Sequence, residues 1–166
     1  TRTIGVVGTG VIGAGWAVRA LARGNDVPAW DPAPGAQERL RSAVSRAWPS
    51  ALRLGLFPGA DPARITWMET VEELAARADW IQENAPEDED VKRPLMRNLA
   101  AHSGPEVVIA SGSSGLLPTR LHDGCRHPER ILICHPFNPV YLLQAVTNTP
   151  LTLPMLHPAD ASVVAI

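Results

Sequence analysis

Three glycines at the start of the chain have the spacing of a turn that binds a diphosphate. Gly8, Gly10 and Gly13 follow a short apolar run in the pattern GTGVIG. Gly8 would allow a tight turn, Gly10 would leave the backbone open to a ligand, and Gly13 would let the next helix pack closely. The free N–H groups at that helix start face an anion, which the helix dipole favours. The turn therefore predicts cofactor contacts from Gly8, Thr9, Gly10, Val11, Ile12 and Gly13.

An acid stands where the second predicted strand ends, at Asp31. A carboxylate in that position accepts hydrogen bonds from a ribose diol and repels a 2′-phosphate, so the predicted cofactor is NAD rather than NADP. The next residues, 32–35, contain no arginine that would favour the phosphate. The order strand, glycine turn, helix, strand and acid favours a dinucleotide site over a glycine-rich turn of another α/β protein.

Polar residues also follow three later apolar runs. Glu83 and Glu87 follow one of these runs, the serine-rich segment 111–115 follows another, and His135 follows a third. A histidine beside a hydroxyl-rich loop suits general base chemistry on an alcohol. The alternatives are a loop histidine that caps backbone groups and a serine-rich segment that is only a turn.

These residues need a sheet that brings strand ends to one edge. Strands are predicted over 3–7, 26–30, 64–68, 79–83, 106–110 and 131–134, and helices over 14–22, 34–53, 70–78, 88–101 and 117–121. This alternation predicts an α/β fold of the Rossmann type, a doubly wound and mostly parallel sheet with helices on both faces. Ligands of such sheets bind beyond the carboxyl ends of the strands.

Two details of the helices can be predicted from side-chain spacing. Leu40, Val44, Trp48 and Leu52 recur every four residues and are expected on one buried face. Pro49 is expected to kink or split the same helix. Thr70, with Glu73 three residues later, is typical of a helix N-terminus.

Composition excludes several classes of function. The 166 residues allow one domain, and the net charge of −2 gives no reason to expect a nucleic-acid surface. No apolar run is long enough for a transmembrane helix, and no signal peptide precedes the first strand. Cys125 and Cys134 lack the spacing of metal ligands. We therefore expect reduced thiols, no metal, no membrane partner and a cytoplasmic location.

Six segments of the chain resemble the 3-hydroxyacyl-CoA dehydrogenase superfamily, and within it the carnitine-oxidising members. They are GTGVIGAGWA at 8–17, AWDPAPGA at 29–36, LGLFPGA at 54–60, ENAPE at 83–87, SGSSGLLPT at 111–119 and HPFNPVYLL at 135–143.

The resemblance implies a reaction in which NAD takes a hydride from C3 of a 3-hydroxy substrate. It implies that His135 is the general base, that Ser114 hydrogen-bonds the reacting oxygen, and that Asn138 lies near that oxygen. Glu87 and Lys92 match residues that line the nicotinamide half of the cofactor site; the alternative is a solvated acid and base.

The implied small-molecule substrate is L-carnitine, which would be oxidised to 3-dehydrocarnitine, or a related 3-hydroxy acid. The alternatives are another oxidoreductase of the 3-hydroxyacyl-CoA dehydrogenase type and an NAD-binding module without turnover. Phe137 and Tyr141 are candidates to face a quaternary ammonium group, or else belong to the core.

The resemblance stops after residue 143. The family has a glutamate that orients the catalytic histidine where this chain has Thr147. We therefore predict a domain over 1–143 and a divergent tail over 144–166, with one or two helical turns over 159–166. The family's C-terminal helical domain, which makes its homodimer, is absent from this sequence, so a truncated form without that dimer is expected.

Overall fold

A seven-stranded sheet forms the centre of the protein in a computed structural model that describes residues 1–142 and 146–149. Its strands lie in the order β3-β2-β1-β4-β5-β6-β7. They are β1 (Ile4–Val7), β2 (Val27–Trp30), β3 (Ile65–Trp67), β4 (Trp80–Glu83), β5 (Val108–Ser111), β6 (Ile131–Pro136) and β7 (Val146–Thr149). Neighbours from β3 to β6 pair in parallel, and β7 is antiparallel to β6. The strand order reverses between β1 and β4, where such sheets bind ligands.

Helices cover both faces of this sheet, as the sequence predicts. They are α1 (Val11–Ala22), α2 (Ala36–Leu54), α3 (Val71–Arg77), α4 (Glu89–His102) and α5 (Pro118–Leu121). Val6 packs in one core cluster with residues of α1 and α2, whereas the next residue, Val7, packs in another with residues of α3 and α4. Successive side chains of a strand point to opposite faces, so the two clusters are the two sides of a doubly wound sheet. Within the described residues, no helix has the length and apolar character of a membrane span.

The start of α3 is capped as predicted. The Thr70 side chain accepts a hydrogen bond from the backbone N–H of Glu73 at 3.2 Å. The Glu73 carboxylate in turn accepts one from the backbone N–H of Glu69. These bonds occupy backbone donors that a helix start leaves free, which fixes where α3 begins.

Helix α2 differs from its prediction at two residues. The helix continues through Pro49 to Leu54, so the proline does not split it. Leu40 and Val44 are buried, but Leu52 is 56% exposed and Ala51 is buried in its place. A spacing of four residues drifts around a helix of 3.6 residues per turn, so by the fourth position the core-facing residue is one earlier.

The end of the sheet differs from the sequence-based prediction at its last two strands. The prediction that His135 follows the strand is wrong, because β6 continues to Pro136 and contains it. Strand β7 lies in the predicted tail and pairs with β6, with Thr147 opposite His135. The helical turns predicted over 159–166 lie outside the described residues.

Candidate functional site

The glycine turn after β1 is built around three different constraints. Gly8 has a φ of +78°, and a Cβ there would be 2.8 Å from backbone atoms of Asn84. A Cβ on Gly13 would lie 1.9 Å from the carbonyl oxygen of Gly8, so helix and turn pack in direct contact. A Cβ on Gly10 would meet no atom within 4 Å. Gly10 therefore faces open space, as the approach of a ligand to the backbone requires.

The start of α1 is free to bind an anion. Gly10 is its N-cap, with no side-chain cap and no acid in the first turn. The first N–H groups of a helix have no partner within the helix, and the dipole favours negative charge beside them. A diphosphate fits these donors.

Asp31 lies at the end of β2 beside this turn. One carboxylate oxygen accepts bonds from the backbone N–H (2.7 Å) and hydroxyl (3.1 Å) of Thr9, and the other accepts one from the N–H of Ala33 (2.9 Å). These bonds fix the carboxylate, and a carboxylate has lone pairs left for a ribose diol. Asp31 thus couples β2 to the glycine turn.

A pocket of about 630 Å³ opens between the glycine turn and Asp31. Its walls include Trp30, Pro86 and Leu95, which give an apolar surface for an adenine. Arg39 also lines it and donates a hydrogen bond to the carbonyl oxygen of Pro34 at 2.7 Å. The residues directly after Asp31 give no sign of this arginine, because it reaches the pocket from the first turn of α2.

Lys92 and Glu83 form a fully buried ion pair below the strand ends. The Lys92 ammonium lies 2.8 and 3.0 Å from the two oxygens of Glu83, and their side chains are 1% and 0% exposed. Ser111, at the end of β5, donates its hydroxyl to the same carboxylate. Lys92 is therefore not a solvated base, which was the alternative interpretation of the sequence. The sequence analysis identified Glu83 only as a polar residue after a strand. It did not identify the ion pair, because two residues nine positions apart give no local signal of such a contact.

Glu87 holds the serine-rich loop. One of its oxygens accepts bonds from the Ser113 hydroxyl and from the backbone N–H groups of Ser114 (3.0 Å), Gly115 (2.8 Å) and Leu116 (3.2 Å). Desolvation raises the pKa of Glu87, but the bonds from Ser113, Gly115 and Ser114 and the charge of Lys92 together hold it below its ordinary value. The carboxylate is therefore charged at neutral pH and fixes the backbone of Ser114.

His135, Ser114 and Asn138 come from neighbouring segments at one edge of the sheet. Ser111 of β5 is paired with Ile133 of β6, so the residues just after Ser111 are level with His135. His135 is half-buried, while Ser114 and Asn138 are exposed. An exposed hydroxyl, an exposed amide and a half-buried imidazole therefore lie along one edge of the sheet.

The two aromatic candidates, Phe137 and Tyr141, lie in different environments. Phe137 is 49% exposed at this edge, so it does not belong to the core. Tyr141 is partly buried against the cluster of α1 and α2. Of these two residues, Phe137 is the one available as an aromatic face for a cationic ligand. No cluster of three or more histidine, cysteine, aspartate or glutamate residues with metal-binding geometry occurs in the described part of the chain.

Comparison with known families agrees with this geometry. The family model of the 3-hydroxyacyl-CoA dehydrogenase NAD binding domain matches residues 3–148. The chain is 50% identical over 145 residues to an L-carnitine dehydrogenase of Pseudomonas putida and 48% identical to one of Streptomyces coelicolor. The match covers 87% of this chain but 45% and 46% of those proteins, so the chain spans less than half of their length.

Solved structures give the same fold. An NAD+ dependent 5-formyl-3-hydroxy-2-methylpyridine 4-carboxylic acid 5-dehydrogenase superposes with a TM-score of 0.80 at 32% identity, covering 92% of this chain and 50% of that one. The 3-hydroxybutyryl-CoA dehydrogenase of Escherichia coli K12 superposes with a TM-score of 0.79 at 28% identity, covering 89% of this chain and 32% of that one.

Proposed function

The chain belongs to the 3-hydroxyacyl-CoA dehydrogenase family through its NAD-binding domain, and we propose that it forms the coenzyme half of a dehydrogenase that oxidises the 3-hydroxyl of L-carnitine to 3-dehydrocarnitine. NAD is the cofactor of this domain. The choice of carnitine over other 3-hydroxy acids is supported by the relatives at about half identity, which are named L-carnitine dehydrogenases. The single observation that supports the proposal is that the glycine turn, Asp31, the Ser114 loop and His135 all lie at the carboxyl ends of neighbouring strands of one sheet.

The cofactor-binding residues have separate tasks. Within the turn over 8–13, the free N–H groups at the start of α1, over 10–13, bind the diphosphate, and Asp31 binds the adenosine ribose. Glu87 and Lys92 belong to the nicotinamide half: Glu87 holds the loop that faces it, and Lys92 acts through the buried carboxylate of Glu83. When bound, NAD supplies the hydride acceptor.

The remaining step is the loss of the hydroxyl proton. A carbonyl forms at C3 only if this proton leaves as the hydride does, and a ring nitrogen of His135 accepts it. The Ser114 hydroxyl and the Asn138 amide hold the same oxygen, which orients the C3–H bond toward the nicotinamide. Phe137 offers an aromatic face to the quaternary ammonium group of the substrate.

A decisive experiment separates coenzyme binding from turnover. Calorimetric titration with NAD and NADP comes first, and NADH formation from L-carnitine is then followed by absorbance with wild type and His135→Gln. We expect NAD to bind more tightly than NADP, and His135→Gln to keep NAD affinity and lose turnover. Asp31→Asn should weaken the binding of NAD and reduce the preference for NAD over NADP. Asp79→Asn is the matched control, since Asp79 also accepts a backbone N–H, from Thr3, but at the other end of the strands.

The second candidate function is an NAD-binding module without turnover. One observation favours it: Thr147 lies opposite His135 in the pairing of β6 and β7. A threonine can hydrogen-bond an imidazole in general, but it carries no charge to offset an imidazolium. NAD binding with no NADH formation at high protein concentration would select this function, and failure of NAD to bind would refute both.

A cytoplasmic location is part of the proposal. Cys125 and Cys134 are both free thiols, as a reducing compartment maintains them. Burial raises the pKa of Cys134 to about 11, so this thiol is not a nucleophile at neutral pH.

A further inference from the structure

Arg19 is a buried cation in the last turn of α1. The residue is 8% exposed. Within the part of the chain that the structure describes, no carboxylate or other hydrogen-bond acceptor contacts its guanidinium, whose nitrogens still reach solvent. Burial, followed by the charge of Arg23, lowers the pKa of Arg19. A buried charge is ordinarily paired, because its desolvation is costly when nothing compensates it.

The Arg19 side chain lines a small cavity of about 90 Å³ between the end of α1, the end of α2 and the segment after β6. Arg23 lines the same cavity, and its guanidinium lies over the Phe57 ring at 4.2 Å from the centroid. The remaining wall residues carry no acid; they are Ala22, Ala51, Leu54, Gly55, Tyr141 and Leu142. Two positive charges therefore face a cavity whose described wall residues include no negative charge.

The helix dipole does not account for this arrangement. A cation in the last turn of a helix gains from the dipole, but this gain gives the partly desolvated guanidinium no hydrogen-bond partner. Arg23 adds repulsion rather than compensation. An anion in the cavity would compensate both arginines.

The rim of the cavity indicates what kind of anion fits. Leu54, Phe57 and Leu142 are 60%, 50% and 41% exposed around it. Exposed large apolar side chains around a cationic floor match a ligand with a charged end and an apolar body. Inorganic phosphate would leave this rim uncovered.

We propose that Arg19 and Arg23 form a binding site for a small carboxylate carried on a short apolar chain, separate from the coenzyme site. The diphosphate site is at the first residues of α1, whereas Arg19 lies two turns further along the same helix. The proposal does not depend on the reaction that the protein catalyses.

The probe is butyrate, compared with acetate, phosphate and chloride at equal ionic strength. The readouts are the unfolding temperature and the Nε–H resonance of Arg19 in the NMR spectrum of the wild-type chain. We expect butyrate to raise the unfolding temperature and shift this resonance, with half-saturation at a concentration about tenfold lower than acetate, because two further methylenes are buried. A response to butyrate no larger than that to chloride would overturn the proposal, and a stronger response to phosphate would overturn its apolar part.

Two variants complete the test. Arg19→Met should lose the response to butyrate and, without any anion, unfold at the same or a higher temperature than wild type, since it removes a partly desolvated charge that has no partner among the described residues. Arg77→Met changes an exposed arginine at the end of α3 and should behave as wild type, and His135→Gln should keep the response. A response retained by Arg19→Met, or lost with His135→Gln, would refute the assignment, and a large loss of stability in Arg19→Met would assign Arg19 a structural role instead.

Discussion

Gly10 and Gly13 lack a side chain for different reasons, so alanine at each position separates binding from folding. Gly10→Ala adds a methyl group in open space, where the diphosphate approaches. We expect an unchanged unfolding temperature and NAD affinity at least about tenfold weaker, roughly 1.4 kcal/mol. Gly13→Ala forces a methyl group against the Gly8 carbonyl and should cost about 3 kcal/mol of stability or more. Thermal unfolding and calorimetric titration measure both effects.

Gly104→Ala is the control for alanine itself, because a Cβ there would make only ordinary contact, 3.6 Å from Val107. It should leave both stability and NAD affinity near wild type. If Gly10→Ala left the NAD affinity unchanged, this result would contradict the binding of the diphosphate at this turn.

The ion pair of Glu83 and Lys92 is expected to be strongly coupled. Lys92→Met leaves a buried carboxylate without its cation, which costs about 3–5 kcal/mol. Adding Glu83→Gln to that variant removes the unpaired charge and should recover most of the stability that Lys92→Met loses. Urea unfolding of the two single variants and the double variant measures the coupling energy. Additive effects of the two substitutions would show that the pair does not act as a unit.

Helix α4 is anchored at its end by Arg130, which comes from the turn before β6. The Arg130 guanidinium donates to the carbonyl oxygens of Ala100, Gly104 and Val107 and to the hydroxyl of Ser103. We expect Arg130→Met to cost about 3 kcal/mol, because these acceptors lose a charged donor inside the protein. Arg126→Met, an exposed neighbour in the same loop, should cost less than about 0.5 kcal/mol. Equal unfolding midpoints for the two variants would exclude this anchoring.

The loop after β5 should loosen at low pH because Glu87 holds it. The folded pKa of Glu87 lies below its ordinary value of 4.5, so the unfolded chain takes up the proton first as pH falls. Its contribution to stability is therefore complete above that value and disappears as pH drops through the folded pKa. Glu87→Gln should lower the urea midpoint at pH 7, and the difference from wild type should shrink below about pH 4.

Glu106→Gln is the matched control for this pH series, since it removes an exposed acid that follows α4. Its urea midpoint should stay near wild type at pH 7. A difference between wild type and Glu87→Gln that persists unchanged at pH 3 would contradict the hydrogen-bonded carboxylate.

Across the whole molecule, the predictable features are those that local sequence determines. The strand, glycine turn and helix over 3–22 follow from adjacent residues, and so does the cap at Thr70. The Glu83–Lys92 pair, the return of Arg39 to the pocket and the strand opposite β6 depend on contacts between distant segments. The continuation of α2 through Pro49 likewise depends on packing against α1. Spacing alone does not reveal such contacts, because tertiary packing overrides local preference.

Because both core clusters share β1, the domain is expected to unfold as one unit, and NAD should stabilise all of it. Val6 and Val7 belong to opposite clusters of the same strand, and the glycine turn continues directly from that strand. Far-UV circular dichroism and tryptophan fluorescence should therefore give coincident transitions. Above its dissociation constant, each tenfold increase in NAD should add about 1.4 kcal/mol to the free energy of unfolding.

ADP-ribose is the informative comparison for this stabilisation, because it keeps the adenosine and diphosphate but lacks the nicotinamide. If Asp31 and the turn over 8–13 supply most of the binding energy, ADP-ribose should stabilise the domain nearly as much as NAD. Stabilisation by NAD alone would place the binding energy at the edge with His135 and Ser114. Two separate transitions, of which NAD shifts only one, would mean that the faces of the sheet unfold independently.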